Sequence, residues 1–495
     1  MLDHDTIAAL LEEHKVPGVA VGVWHAGQTQ LSGFGVTSLP NPLPVTPETI
    51  FQVGSITKTF VATAVMALVE QGKVALDEPL RSYLPELTLQ DATAQEQVTL
   101  RHLLNHSGGW AGDYFADCGR GDDALAEMVR RVGALPQLLP FGTLFSYNNA
   151  GFALVGRVIE KITDMPFERA VAELIFAPLG LDQTFFFAED VMLQRFAVGH
   201  IQRDGQTEVA SPWPIGRAAN PAGGICSSVG DLLRYARFHI GKQNSGFRIQ
   251  DSEVHAALSA ESLALMRQPT IAADTIGSYE AVGLAWFLRT LNGVTLVNHG
   301  GATNGQIAAL TLVPERDFAV AVLTNANNGG LITKAVADMA LEHYLGIHEE
   351  EPATLAIDTA ALDTYCGRYT SQIADIEVVS EAGRLIVKVQ PKGGFPNEDS
   401  PPAPTPPPAP LRFFATDQAI VAEGPARGSR AVFGRDTAGD IAWLRFGGRV
   451  RLRNQGTSRC RAKSKEQSAQ HPERSLRRPN PCITSRIAEP FNCNL

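Results

Sequence analysis

Val53-Gly54-Ser55-Ile56-Thr57-Lys58-Thr59-Phe60 opens an apolar run that continues through Val61, Ala62, Ala64, Val65, Met66, Leu68 and Val69 and stops at Gln71-Gly72. Apolar residues on most sides predict a helix over 59–70 buried in the middle of a domain. Ser55 and Lys58 stand at i and i+3 at its beginning, so both side chains leave one face. In such a pair the serine attacks and a lysine of shifted pKa takes or stabilises its proton, while the helix N-terminus favours developing negative charge. The same quartet serves equally as a capping serine beside a surface lysine, so its meaning depends on the rest of the chain.

Two further elements bear on it. In Phe145-Ser146-Tyr147-Asn148-Asn149-Ala150-Gly151-Phe152, Tyr147 and Asn149 lie two apart before a predicted helix and face one side of an extended backbone. Tyr147 offers a phenolic oxygen that acts as a base where positive charge lowers its pKa, and Asn149 offers both donor and acceptor to a lysine and a substrate amide. The bland alternative is a packed tyrosine with an N-capping asparagine. His299-Gly300-Gly301-Ala302 follows the strand-like Val294-Thr295-Leu296-Val297. Glycines at a strand edge admit a substrate backbone, and a following N–H points at an oxyanion. Taken singly, His299 reads as a satisfied polar residue.

In this order and spacing the three elements resemble those of the serine β-lactamase and penicillin-binding-protein superfamily. The likeness is nearest to the class C β-lactamase-like branch, which also holds D-alanyl-D-alanine carboxypeptidases, D-aminopeptidases and family VIII carboxylesterases. It covers residues 5–345 and includes Thr99-Leu100-Arg101-His102-Leu103-Leu104-Asn105-His106-Ser107-Gly108-Gly109 and Pro221-Ala222-Gly223-Gly224-Ile225-Cys226-Ser227-Ser228. The resemblance implies that Ser55 is acylated, that Lys58 is its partner and that Tyr147 is the base. It implies that Asn149 contacts Lys58 and substrate, that Gly301 is the motif glycine, and that the N–H groups of Ser55 and Ala302 form the oxyanion hole. His299 stands where the β-lactamases of this branch carry a lysine; mostly neutral at pH 7, it grips a carboxylate less securely.

The implied activity is therefore that of a serine hydrolase acting on a small ester, peptide or lactam, of carboxylesterase or D-amino-acid peptidase type. A class C-type β-lactamase or D-alanyl-D-alanine carboxypeptidase is the alternative. A non-catalytic binding protein retaining the fold is a third, and the presence of Ser55, Lys58 and Tyr147 together speaks against it. No metal or other cofactor is implied. Trp110, Tyr114, Trp213 and Trp286 read either as an aromatic substrate wall or as core.

Composition agrees with a soluble enzyme of more than one folded unit: 495 residues, 44% hydrophobic, 19% charged, mean hydropathy -0.03. A net charge of -10 argues against nucleic acid and anionic lipid as partners. The six cysteines include no C-x-x-C pair, so neither a zinc site nor a disulfide framework is expected. The start, Met1-Leu2-Asp3-His4-Asp5, has no basic or apolar leader character, which reads as cytoplasmic. Oligomeric state is open.

The fold class expected is α+β (mixed α/β). A β-lactamase/transpeptidase-like catalytic domain over 1–350 carries an antiparallel sheet flanked by helices and assembled from both ends of the chain. Strands are predicted at 19–24, 29–35, 306–312 and 318–323, and helices at 124–132, 150–162, 167–175, 229–239 and 332–345. A linker at 351–362 leads to a small all-β, barrel-like domain over 363–456, with six short strands and a proline-rich loop at 400–410 that should stay outside any ladder. Residues 457–495 carry eight Lys or Arg against three Glu and read as a disordered basic tail, native or read-through.

Overall fold

The computed structural model describes residues 3–203, 205–241, 258–273, 279–424 and 426–454. The basic tail expected from 457 lies outside the described residues. The N-terminal hairpin forms as predicted: β1 (Gly18–His25) and β2 (Gln28–Gly35) turn at Ala26-Gly27, both at positive φ, a geometry that suits glycine. Six more strands follow late in the chain: β3 (Ile271–Ala272), β4 (Ala281–Val282), β5 (Phe287–Leu291), β6 (Val294–Thr303), β7 (Gln306–Val313) and β8 (Phe318–Thr324). The sheet order is β2-β1-β8-β7-β6-β5-β4-β3, antiparallel throughout. β1 pairs with β8 from Val19↔Thr324 to His25↔Phe318, so the two ends of the catalytic body close one sheet.

Both faces of the sheet are covered. Val19, Val21, Val23, Val320 and Val322 point to one side, where α1 (His4–Glu13) and the closing helix Gly330–Leu345 bury them. Ala20, Trp24, Leu310, Leu312, Ala321 and Leu323 point to the other side and join the main core. There lie α2 (Thr57–Glu70), α3 (Ala150–Thr163) and α4 (Val229–Ile240). Every residue of α2 from Thr57 to Leu68 is buried, as its all-round apolar pattern requires. The helix predicted over 167–175 is regular only through Val171; a wider turn follows over Ala172–Phe176, just ahead of Pro178, which has no N–H to donate. No helix among the described residues is long and apolar enough to cross a membrane.

The C-terminal domain is a closed barrel of eight antiparallel strands, β9 (Gly367–Thr370), β10 (Ala374–Glu381), β11 (Arg384–Pro391), β12 (Ala409–Ala415), β13 (Gln418–Val421), β14 (Arg430–Arg435), β15 (Ile441–Phe446) and β16 (Arg449–Arg453). Its interior is filled by Tyr369, Ile376, Val378, Leu385, Phe413, Phe433 and Leu444. Six strands were expected. β13 is only four residues long, and β16 alternates arginine with Val450 and Leu452 yet buries Arg451 beside Val450 and leaves Leu452 exposed. The proline-rich stretch also departs from expectation at its end, since Ala409 and Pro410 enter β12, with Pro410 opposite Ile386. Pro410 stands at the start of the strand and needs only its carbonyl, which accepts the Ala422 N–H at 2.9 Å. The expected linker is held to the barrel: the Leu355 N–H donates to Phe413 O, and Thr359–Leu362 forms a short helix.

Candidate active site

Ser55 sits on a tight turn, Gly54–Ile56, that feeds directly into α2. Gly54 has φ +52, and a Cβ there would lie 2.7 Å from Ala302 N. A Cβ at Gly301 would lie 1.8 Å from Val53 O and 3.1 Å from Ser55 N. Only glycine at both places lets the nucleophile turn and β6 approach this closely, and the approach brings the Ser55 and Ala302 backbone nitrogens together. The glycine-containing loop braces the same turn. The Val53 N–H donates to Ile225 O and the Ile225 N–H to Thr57 Oγ1, both at 3.0 Å.

Lys58 is fully buried, a rare state for a lysine. Its Nζ donates to Ser55 Oγ at 2.9 Å and to the Ala222 carbonyl. It also lies 5.0 Å from the centre of the Tyr147 ring and 5.3 Å from that of Phe152. Burial, helped by the positive charge of Arg449 and opposed by Asp113, holds its pKa well below the ordinary ammonium range. Tyr147 is buried as well, and burial raises its phenol above the ordinary value despite the Ser55 hydrogen bond and the Arg449 charge, which pull the other way. In the resting site Tyr147 is therefore a protonated phenol. His299, 1% exposed on β6, donates Nδ1–H to Gly300 O at 2.6 Å; burial, then the Lys58 charge, pushes its pKa down to about 3. Both influences favour the neutral imidazole.

Asn149 lines the same cleft, but among the described residues it makes no bond to Lys58. Its Nδ2 donates to Asp113 Oδ1 at 2.8 Å. Asp113 in turn takes a two-pronged bond from Arg449, Nε to Oδ2 at 3.0 Å and Nη2 to Oδ1 at 3.1 Å. Burial alone would raise the Asp113 carboxyl; the Arg449 charge and the bonds from Arg449 and Asn149 outweigh it and hold the pKa below the usual carboxylate value. Arg449 belongs to the barrel. It follows the Gly447-Gly448 turn between β15 and β16, and its guanidinium stands 4.7 Å from the centre of the Tyr147 ring. The same turn grips the tyrosine segment: the Tyr147 N–H donates to Gly448 O at 2.8 Å, and the Val450 N–H to Ser146 Oγ at 3.2 Å.

Ser55, Tyr147, Asn149, His299, Gly301 and Ala302 border one cleft of about 1280 Å³ between the catalytic body and the barrel. Phe115 and Phe395 meet edge-on at its border, ring centroids 5.0 Å apart, and Pro401 and Ala403 of the proline-rich loop add to the barrel side. The four aromatic residues considered as a wall are not among its borders. Trp110 and Trp286 are core, Tyr114 packs on that core, and Trp213 packs on a small cluster around Ile50. Asp113, Phe115, Phe395 and Arg449 were not read from sequence. The signal lay in the alternation Arg449-Val450-Arg451-Leu452-Arg453 after two glycines: a barrel strand with arginine at every second place needs anionic or carbonyl partners.

Fold and site together define a serine hydrolase of the penicillin-recognising type with an appended β-barrel. The chain belongs to the beta-lactamase family, whose profile, described as Beta-lactamase, matches residues 4–342. Penicillin-binding protein 4 of Amycolatopsis lactamdurans is 36% identical over 340 residues, 68% of this chain and 86% of the relative. Among solved structures, SurE superposes with a TM-score of 0.69 at 25% identity over 91% of this chain and 98% of SurE, and a structure of SurE with D-Leu gives 0.68. The octameric penicillin-binding protein homologue from Pyrococcus abyssi gives 0.63 at 25% identity, covering 91% of this chain and all of that one. These two likenesses extend across 91% of the chain, past the region that the family profile matches.

Proposed function

We propose that the protein forms an acyl-enzyme on Ser55 and hydrolyses ester or amide bonds of small substrates, as a carboxylesterase or D-amino-acid peptidase. The observation that carries this reading is the fully buried Lys58 amine, 2.9 Å from Ser55 Oγ and held well below its ordinary pKa. The lowered pKa favours the uncharged amine, and in that form Lys58 accepts the Ser55 proton as Oγ bonds to the substrate carbonyl carbon. The carbonyl electron pair moves to oxygen and is met by the Ser55 and Ala302 N–H groups. Tyr147, protonated and hydrogen-bonded to Ser55, delivers its proton to the leaving alcohol or amine as that bond breaks, and recovers one from Lys58. Water then attacks the acyl carbon, gives its proton to the Lys58–Tyr147 pair, and Ser55 leaves as a hydroxyl.

Substrate preference follows from charge and space. The neutral His299 gives the β6 side of the site no cation for a substrate carboxylate, which favours esters and peptides over β-lactams. The D-Leu found with SurE supports a residue of D configuration as the acyl or leaving group. The test is a fluorophosphonate with mass spectrometry of the labelled peptide, alongside p-nitrophenyl esters, D-aminoacyl p-nitroanilides and nitrocefin. Label on Ser55, with hydrolysis abolished in Ser55→Ala, is expected. Undiminished ester hydrolysis in Ser55→Ala sinks the proposal.

A further inference from the structure

We infer that His106 is a positioning residue for Tyr147, holding the phenol on Ser55 from behind. The inference rests on the reading of Ser55 and Tyr147 given above. His106 lies in the loop after a short helix, Leu100–Leu104, and is 1% exposed. Its backbone has φ +61, a left-handed conformation that costs a side-chain-bearing residue free energy and persists where surrounding contacts impose it. In that conformation His106 grips the tyrosine segment on both sides of Tyr147. Its carbonyl accepts the Ser146 N–H at 3.0 Å, and its Nδ1 accepts the Asn148 N–H at 3.0 Å.

Between these two bonds the imidazole lies against the Tyr147 ring, centroids 4.3 Å apart and planes 26° from parallel. Phe145 meets the imidazole edge-on at 5.8 Å and Phe152 lies at 5.4 Å, so the ring has little room to turn. The remaining N–H groups of the segment are taken too, Tyr147 by Gly448 O and Asn149 by Gly112 O. Four consecutive amides are thus fixed, two of them by one residue. Because an amide N–H only donates, Nδ1 must carry a lone pair, so this arrangement requires neutral imidazole; burial favours that form. A cationic His106 would break the Asn148 bond and face Lys58, His299 and Arg449, the charged and titratable groups that act on it.

The experiment is a double-mutant cycle in the full-length protein. His106→Asn tolerates the left-handed backbone, and His106→Gly tolerates it without steric cost; both lose the stacked ring. Each is made alone and with Tyr147→Phe, which keeps the tyrosine's ring but not its hydroxyl. Expected in the single variants is a fall in kcat for an alkyl amide substrate, whose leaving amine needs the Tyr147 proton, on the order of 10²-fold, with KM within about twofold. In the Tyr147→Phe background the same changes at His106 should cost less than about twofold, because the group being positioned is gone. Equal fractional losses in both backgrounds, or kcat within about twofold of the unaltered protein in either folded single variant, overturn the inference. Absence of label on Ser55 in the unaltered protein instead overturns the acyl-enzyme reading, so the two failures are distinguishable.

Discussion

At the scale of the residue, the site turns on which of two buried groups holds the proton. Lys58 and Tyr147 are both driven by burial toward their uncharged forms: a lysine without its proton and a tyrosine with it. On the proposed mechanism these tendencies suit Lys58 to act as the first base and Tyr147 as the acid for the leaving group. Tyr147→Phe is accordingly expected to lower kcat by about 10²–10⁴-fold for amides, with a smaller loss for activated esters whose leaving group needs no proton. Comparison of kcat on a p-nitrophenyl ester and on an alkyl amide of the same acyl group measures it; equal losses on both would assign Tyr147 a different role. Ser55, Lys58 and Tyr147 could be proposed from sequence because the short motifs around them, in that order, resemble those of a known superfamily. Asp113 was not, since nothing near it in the chain shows that its partner stands 336 positions away.

At the scale of the element, the hairpin tip between β15 and β16 works as a plug in the catalytic body. It presents Arg449 to Asp113 and the Gly448 carbonyl to the Tyr147 amide. Removal of one partner of a fully buried ion pair costs roughly 3–5 kcal/mol, and the cost here is lower because the Arg449 side chain keeps 28% of its exposure. The electrostatic consequence is directional. Burial and Arg449 depress the Lys58 pKa and Asp113 raises it, so Arg449→Gln removes one of the two lowering influences and leaves Asp113 opposed by burial alone. A base acts in its unprotonated form; raising the Lys58 pKa therefore moves the acid limb of the kcat/KM profile to higher pH. A pH series of ester hydrolysis checks this, with the unaltered protein as reference, and an acid limb that stays in place or moves down would contradict the charge coupling. Asp113→Asn should shift the same limb to lower pH.

At the scale of the whole molecule, the cleft exists because two domains meet. The catalytic body supplies Ser55 and Phe115, and the barrel supplies Arg449, Phe395 and the wall at Pro401 and Ala403. Phe395→Ala removes one half of the edge-on pair without touching the acylation machinery. It is expected to raise kcat/KM for long or bulky acyl groups relative to short ones, measured as the ratio of hydrolysis of p-nitrophenyl dodecanoate and acetate; an unchanged ratio would deny the barrel a part in substrate choice. What the sequence by itself determined is the catalytic domain. The all-round apolar helix α2 and the apolar strand β1 with its Ala26-Gly27 turn are local patterns that backbone physics is enough to read, whereas the three short motifs took their meaning from their order and their resemblance to a known superfamily. Tertiary structure alone decided that the barrel closes with eight strands, that Asn149 turns to Asp113 and not to Lys58, and that an arginine of β16 reaches the tyrosine. Those outcomes depend on partners brought together across hundreds of residues, where burial and paired charge, not neighbouring sequence, set the free energy.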